Sequence, residues 1–228
     1  MGRAKEIIVK VIPSKIANDF IKKHHYSGKV VPNSQLHFGA FLDGKLHGVM
    51  SYGPSTDKSK ILPLVKNTGW NEFIELNRMA FDDYLPKNSE SRCIAYSIKL
   101  IKKNAPQIKW IISFADGCQC GDGTIYRASN FILTGIKENT GMRIDKDGKV
   151  YSQVTFSAHR PNEMNKFRVM QKLKGYQLRY IYFIDKNKEK DLTVPIIPFS
   201  KIDELNAGMY KGQKITQEER HNKKVDNK

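Results

Sequence analysis

Ile108-Lys109-Trp110-Ile111-Ile112-Ser113-Phe114-Ala115-Asp116, and after a short run of glycine and cysteine Gly123-Thr124-Ile125-Tyr126-Arg127-Ala128-Ser129-Asn130-Phe131, is the stretch on which the reading of this chain turns. The apolar run over residues 108 to 115 reads as a buried strand. The segment from Gly123 opens a short helix around Tyr126. A carboxylate on the residue that leaves a buried strand sits at the carboxyl edge of a sheet, where open α/β folds hold their ligands. Asp116 is therefore the first candidate functional residue, and its competing role is to cap a turn beside Gly117. Tyr126, Ser129 and Asn130 follow within the same stretch and favour the functional role.

Working outward, Glu6 to Ile12 alternates as a first strand, and Pro13-Ser14 starts a helix with Ser14 as its N-cap. That helix runs to about His24, whose place on the stripe of Ile16, Ala17, Phe20 and Ile21 turns His24 to the core and His25 away from it. Leu36 to Leu42 and Leu46 to Tyr52 flank Asp43-Gly44-Lys45 as a hairpin. A loop with one helical turn near Ile61 to Val65 leads to a strand over Phe73 to Phe81. Pro86 and Asn88-Ser89 open a long amphipathic helix carrying Ile94, Ile98, Ile101 and Ala105, and Pro106 ends it. After the central stretch come a strand near Phe131 to Ile136, a turn at Asp145 to Gly148, a strand over Val150 to Ser157, a helix over Asn162 to Lys174 and a last strand over Tyr176 to Ile184. Residues 1–185 form the catalytic domain in this reading; residues 186–228 are a polar, charged extension, with disorder expected over Lys211 to Lys228. The order of elements makes an α/β sandwich with a mixed, mostly antiparallel sheet flanked by helices. That order resembles the Gcn5-related N-acetyltransferase (GNAT-like) fold.

The charge is lopsided: 39 Lys and Arg against 23 Asp and Glu give a net +16. Such an excess favours a polyanionic partner, because each cation that neutralises a phosphate releases condensed counterion. Between Arg160 and Lys190 nine basic residues meet only three acids, and Lys166, Arg168, Lys172, Lys174 and Arg179 are the candidate nucleic-acid contacts. No apolar run approaches the length of a membrane span, and no signal-peptide pattern opens the chain, so the protein is expected in the cytoplasm without a membrane partner. Cys93, Cys118 and Cys120 are odd in number and read as reduced thiols; no second cysteine or histidine pair supports structural zinc. P-loop and Rossmann glycine motifs are both missing, which excludes those nucleotide-binding classes.

Polar groups gather at the element edges. Arg78 shares a face with Ile74, Leu76 and Ala80 in the alternation of its strand, so its cation must pair, with Glu75 or Asp116, or bind an anion. Ser89 and Ser91 lie in the first turn of the long helix, where free N–H groups favour an anion or a carbonyl oxygen. His25 and Tyr26 offer an imidazole and a phenol to a cleft, as acid/base groups or as metal ligands.

His25-Tyr26-Ser27-Gly28, the hairpin from Phe38-Gly39-Ala40 to Gly48-Val49-Met50-Ser51-Tyr52-Gly53, Glu75-Leu76-Asn77-Arg78-Met79, Asn88-Ser89-Glu90-Ser91-Arg92 and the stretch from Ser113 to Phe131 together resemble the Mom family of bacteriophage DNA-modification proteins. The resemblance covers roughly residues 20–136 and implies a Gcn5-type fold and conversion of DNA adenine to an N6-(carbamoylmethyl) derivative that shields phage DNA from restriction. It implies a catalytic set of His25, Tyr26, Arg78, Ser91, Asp116 and Tyr126, with donor contacts from Ser89, Ser91 and Arg92. Iron, with His25 and Tyr26 as ligands, is the cofactor it points to first, and acyl-CoA the alternative. Acyl-CoA enzymes of the fold carry Q/R-x-x-G-x-G/A before the long helix; here Leu85 to Arg92 holds no glycine and places Glu90 there. Tyr52 or Tyr126 is the expected stacking partner of a flipped adenine, with Asp116 taking its proton and Arg78 stabilising negative charge. An acyl-CoA N-acyltransferase for a small amine or protein, and a catalytically inactive DNA-binding protein, are the rival functions.

Overall fold

The computed structural model describes residues 3–119 and 121–208, and the backbone of residues 209–210 and 213–214. Cys120 and most of the stretch expected to be disordered, 211–228, lie outside the described residues. The chain divides into two compact units, one of Met1–Phe114, Thr124–Thr134 and Arg179–Ile197, the other of Ala115–Gly123, Gly135–Leu178 and Pro198–Lys228. Residues 186–197, which the sequence reading assigned to the extension, belong to the first unit.

A seven-stranded sheet lies mostly in the first unit. Its strands are β1 (Ile8–Val11), β2 (Leu36–Leu42), β3 (Lys45–Gly53), β4 (Phe73–Phe81), β5 (Trp110–Asp116), β6 (Ile132–Glu138) and, last in the chain, β10 (Tyr176–Phe183), in the spatial order β1-β2-β3-β4-β5-β10-β6. Strands β1 to β4 pair antiparallel, and β4 pairs with β5 in parallel. This is the mixed, mostly antiparallel sheet expected. The β2–β3 connection is two residues, Asp43 and Gly44, both at positive φ, which is the backbone that matches strand twist in a tight hairpin.

Helix α1 (Ser14–His24) covers one face through Ala17 and Ile21, which cluster with Ile12, Val49 and Ala80. Helix α3 (Ser89–Asn104) buries Ile94, Ile98 and Ile101; its Ser97 hydroxyl meets the fully buried Tyr52 hydroxyl at 2.6 Å. A second cluster holds Phe73, Trp110, Ile112, Ile181 and Phe183, with Phe73 stacked on Trp110 at 4.5 Å. Leu192 and Val194 pack against it, and Thr193 N–H donates to the Leu64 carbonyl, so this part of the polar segment is pinned by a few apolar anchors. A short helix, α2 (Lys58–Ile61), runs into a 3-10 turn over Leu62–Leu64 and fills the loop before β4. Among the described residues no helix is long and apolar enough to cross a membrane.

The second unit holds a three-stranded sheet of β7 (Met142–Ile144), β8 (Val150–Ser152) and β9 (Gln171–Lys172), with helices α5 (Gln153–His159) and α6 (Met164–Val169), and α7 (Ser200–Glu204) near its end. Three expectations are corrected. Val150 to Ser157 is a strand only to Ser152, because the Ser152 hydroxyl accepts the Thr155 N–H at 3.2 Å and starts a helix whose buried residue is Phe156 while Val154 stays exposed. The helix expected to reach Lys174 stops at Val169, since Gln171–Lys172 pairs with β7. Ser14 is not an N-cap: Pro13 occupies that position, with no side-chain cap.

Candidate active site

The sheet register builds the site. Ser51 pairs with Arg78, Tyr52 with Leu76 and Gly53 with Glu75, so one extra residue, Asn77, sits in β4. A bulge of this kind breaks the alternation of side chains. Ser51 and Gly53, two apart on β3, share a face, and their partners Arg78 and Glu75 therefore share it too, although they are three apart. Val49 lies on the same face against α1. Leu76 turns to the opposite face with Tyr52. The alternation that grouped Arg78 with Leu76 is thus wrong, and its actual neighbour is the carboxyl of Glu75.

Arg78 donates from Nε to the Lys29 carbonyl at 3.1 Å and from Nη1 to the Asn77 carbonyl at 2.8 Å. No carboxylate lies within 4.0 Å of it among the described residues, so neither pairing partner expected from the sequence forms an ion pair with it. Burial pushes the Glu75 carboxyl above the usual carboxylate range, against hydrogen bonds from Ser55 and Asn77 and the attraction of Arg78. The Ser34 hydroxyl donates to Asn77 Oδ1 at 3.0 Å and fixes the bulge residue in turn. The β4–β5 ladder ends at Glu75 and Ile112, and one residue on, the Ser113 hydroxyl rather than a backbone N–H donates to the Leu76 carbonyl at 3.0 Å. Glu75 therefore stands where two parallel strands stop pairing. Sequence reasoning passed over it because Glu75 looked like a surface partner for Arg78; only the bulge reveals the shared face.

His25 is half-buried, not turned outward. Its Nδ1 accepts the Ser27 N–H at 3.2 Å and meets the Ser27 hydroxyl at 2.8 Å, so both polar groups of Ser27 hold that side of the ring. Burial, then the Arg78 guanidinium, pulls its pKa down to about 4. The Tyr26 ring lies 4.2 Å from the His25 ring and is 50% exposed. His37, on β2 opposite Ser51, adds an imidazole whose Nδ1 is 2.7 Å from the Ser51 hydroxyl. His25, Arg78 and Glu75 form one electrostatic neighbourhood on the α1 face.

Other predicted residues are occupied elsewhere. Asp116 accepts from the Cys118 N–H at 3.0 Å, the Gln119 side chain at 2.7 Å and the Gln177 side chain at 2.9 Å, which binds the loop after β5 to a residue far along the chain. Ser89 donates to the Pro86 carbonyl, Ser91 to the Asn88 carbonyl at 3.2 Å, and Arg92 to the Tyr96 hydroxyl at 3.2 Å. Tyr126, in α4 (Thr124–Ala128), packs its ring 5.5 Å from Phe131 and 5.2 Å from Tyr180. Tyr52 is fully buried and is thereby removed as a stacking surface. Arg179 donates to the Thr134 hydroxyl at 3.1 Å and carbonyl at 2.7 Å, a structural use of a half-buried cation, whereas Lys166, Arg168, Lys172 and Lys174 are exposed.

The Mom protein family model matches residues 6–201. The chain belongs to that family. A relative described as "Methylcarbamoylase mom" from Escherichia phage Mu is 36% identical over 202 residues, covering 85% of this chain and 82% of the relative. Among solved structures, the chain is similar to an N-acetyltransferase from Staphylococcus aureus Mu50 (TM-score 0.47, 10% identity, 78% of this chain and 99% of that one). It is also similar to a GNAT family acetyltransferase from Elizabethkingia anophelis with acetyl-CoA bound (TM-score 0.45, 11% identity, 78% and 97%). Those likenesses carry no activity to this Mom family member.

Two implied cofactors meet these residues differently. A metal at His25 Nε2 would sit beside the Arg78 guanidinium, whose like charge already disfavours a cation on that ring. Among the described residues no group of three His, Cys, Asp or Glu side chains is placed to hold a metal ion. His25 and Tyr26 as arranged here do not fit iron. At the start of α3, Asn88 adopts φ 65° and Glu90 puts a carboxylate in the first turn, where a pyrophosphate would need a bare N-terminus.

Proposed function

We propose that this Mom family chain is a methylcarbamoylase that modifies adenine in DNA at N6, giving the N6-(carbamoylmethyl) base or a closely related adduct and so protecting phage DNA from restriction in the host cytoplasm. The observation that carries the reading is the β4 bulge, which sets a half-buried carboxyl beside a cation that has no carboxylate partner among the described residues, in a chain of this family. The adenine amine is a weak nucleophile, and bond formation at N6 requires something to take its proton. Glu75, whose carboxyl burial holds above its ordinary range, is the group we assign to that transfer. Arg78 is suited to hold a carbonyl or carboxylate oxygen of the donor, a small molecule whose carbamoylmethyl carbon bears a leaving group that departs with its bonding electron pair as N6 attacks. His25 and Tyr26 border this pair, and their imidazole and phenol are suited to hydrogen-bond the base or the incoming group. Asp116 acts as a positioning residue that orders the loop before α4, while Ser91 bonds within the first turn of α3 and Tyr126 packs against Phe131 and Tyr180. The exposed cations Lys166, Arg168, Lys172 and Lys174 supply phosphate contacts, and the adenine leaves the stack at a cost of roughly a few kcal/mol.

The test is nucleoside analysis. DNA from cells expressing the full chain is digested and searched by mass spectrometry for a modified deoxyadenosine, with Glu75→Gln and Arg78→Gln alongside. The adduct is expected with the unaltered protein and to fall by about 100-fold or more in either variant. Its complete absence in a host where the phage Mu relative produces one overturns the proposal.

A further inference from the structure

The second unit exposes one apolar side chain out of proportion to its surroundings. Val169, the last residue of α6, is 85% exposed, the highest of the large hydrophobic residues described. It is not on a loose loop. Arg143 of β7 donates from Nη1 to the carbonyls on both sides of it, Arg168 at 3.0 Å and Met170 at 2.8 Å, and its guanidinium also lies 5.4 Å from the Phe167 ring. Phe167 is itself buried against Phe156, with ring centroids 5.2 Å apart. The turn that presents Val169 is thus fastened to the unit's small core from below.

Around it the charge is positive and available. Arg168 has no carboxylate within 4.0 Å among the described residues; Lys166 and Lys172 hold only solvent-exposed pairs with Glu163 and Glu138. Exposed pairs of this kind are weak and exchange readily for phosphates. A rigid apolar tip flanked by cations matches the chemistry of proteins that push a side chain between base steps while gripping the backbone. An adenine hidden in the duplex stack must leave it before its N6 can react, and the step it vacates needs a filler.

We propose that Val169 is the wedge that enters duplex DNA as the target adenine leaves the stack, with Arg168, Lys166 and Lys172 on the flanking phosphates. This assignment rests on the reading of the chain as a DNA adenine modification enzyme. Its test uses the full chain and a set of 30-base-pair duplexes in which single adenines in different flanking contexts are replaced by 2-aminopurine. Binding of the unaltered protein is expected to raise 2-aminopurine fluorescence in at least one duplex. Val169→Ala should lose most of that rise while its affinity by fluorescence anisotropy changes less than about threefold, and Val169→Ile should keep it. Arg168→Gln should instead weaken affinity on every duplex. An unchanged rise in Val169→Ala overturns the assignment, as does the lack of any rise with the unaltered protein on duplexes it binds. A Val169-dependent rise without any modified deoxyadenosine in cells would leave the wedge standing and remove the chemistry.

Discussion

The neutral, half-buried imidazole of His25 makes stability depend on pH in a way that can be worked through. Its Nδ1 accepts the Ser27 N–H, and burial with the nearby Arg78 lowers its pKa from 6.5 to about 4. A histidine with a depressed folded pKa binds its proton more readily when unfolded, so the stabilisation is complete above the unfolded pKa and drains away as pH falls from about 6.5 toward 4. At about 1.4 kcal/mol for each factor of ten in proton affinity, the total is about 3 kcal/mol, with about 1.2 kcal/mol lost between pH 7 and 5.5 and about 2.4 kcal/mol by pH 4.5. Water that still reaches the ring places these figures at the upper end. The perturbation is His25→Asn, which removes the titrating ring, and the assay is urea unfolding of both proteins at pH 7.0, 5.5 and 4.5. The unaltered protein should lose stability faster than the variant by those amounts, which cancels the carboxylates common to both. Parallel pH dependences, or an imidazole resonance of His25 titrating near 6.5, would refute the reasoning.

Three further outcomes follow from the same geometry. Gly53→Ala would place a Cβ 2.5 Å from the Asn33 carbonyl oxygen and 2.8 Å from Ser34 Cα, backbone that cannot step aside, and thermal unfolding should show a loss of about 2–3 kcal/mol. Tyr52→Phe leaves the Ser97 hydroxyl without its 2.6 Å partner and should cost about 1–2 kcal/mol in urea unfolding, with little change in overall secondary structure by circular dichroism. Arg179→Gln, which loses both bonds to Thr134, should lower stability and leave the salt dependence of DNA binding alone, whereas Arg168→Gln should reduce that salt slope by about one; equal effects in the two variants would contradict their separate roles.

Local pattern alone placed much of the scaffold. Strands β2 and β4 begin and end where alternation and turn residues put them, α1 and α3 follow their apolar stripes, and Asp43-Gly44 sets the hairpin. Each of these is decided by neighbours a few residues apart, which is the range over which periodicity and turn chemistry act. The motifs that resemble the Mom family were equally legible, because they are strings of adjacent residues, and the family match, over residues 6–201, includes them and extends past them on both sides.

What only the folded chain decided is how those residues face one another. The extra residue in β4 is invisible in β4 itself, since a bulge exists only relative to the partner strand, yet it moves Leu76 off the face of Arg78 and brings Glu75 onto it. Asp116 is placed at the strand end by its local sequence, but that its carboxylate accepts from Gln177, sixty-one positions later, is decided by the fold. Val150 to Ser157 alternates like a strand, but Ser152 caps a helix because Phe156 is buried and packs with its ring centroid 5.2 Å from that of Phe167. Alternation and spacing tell which side chains a segment offers; pairing register and burial, set by contacts distant in the chain, determine which of them meet.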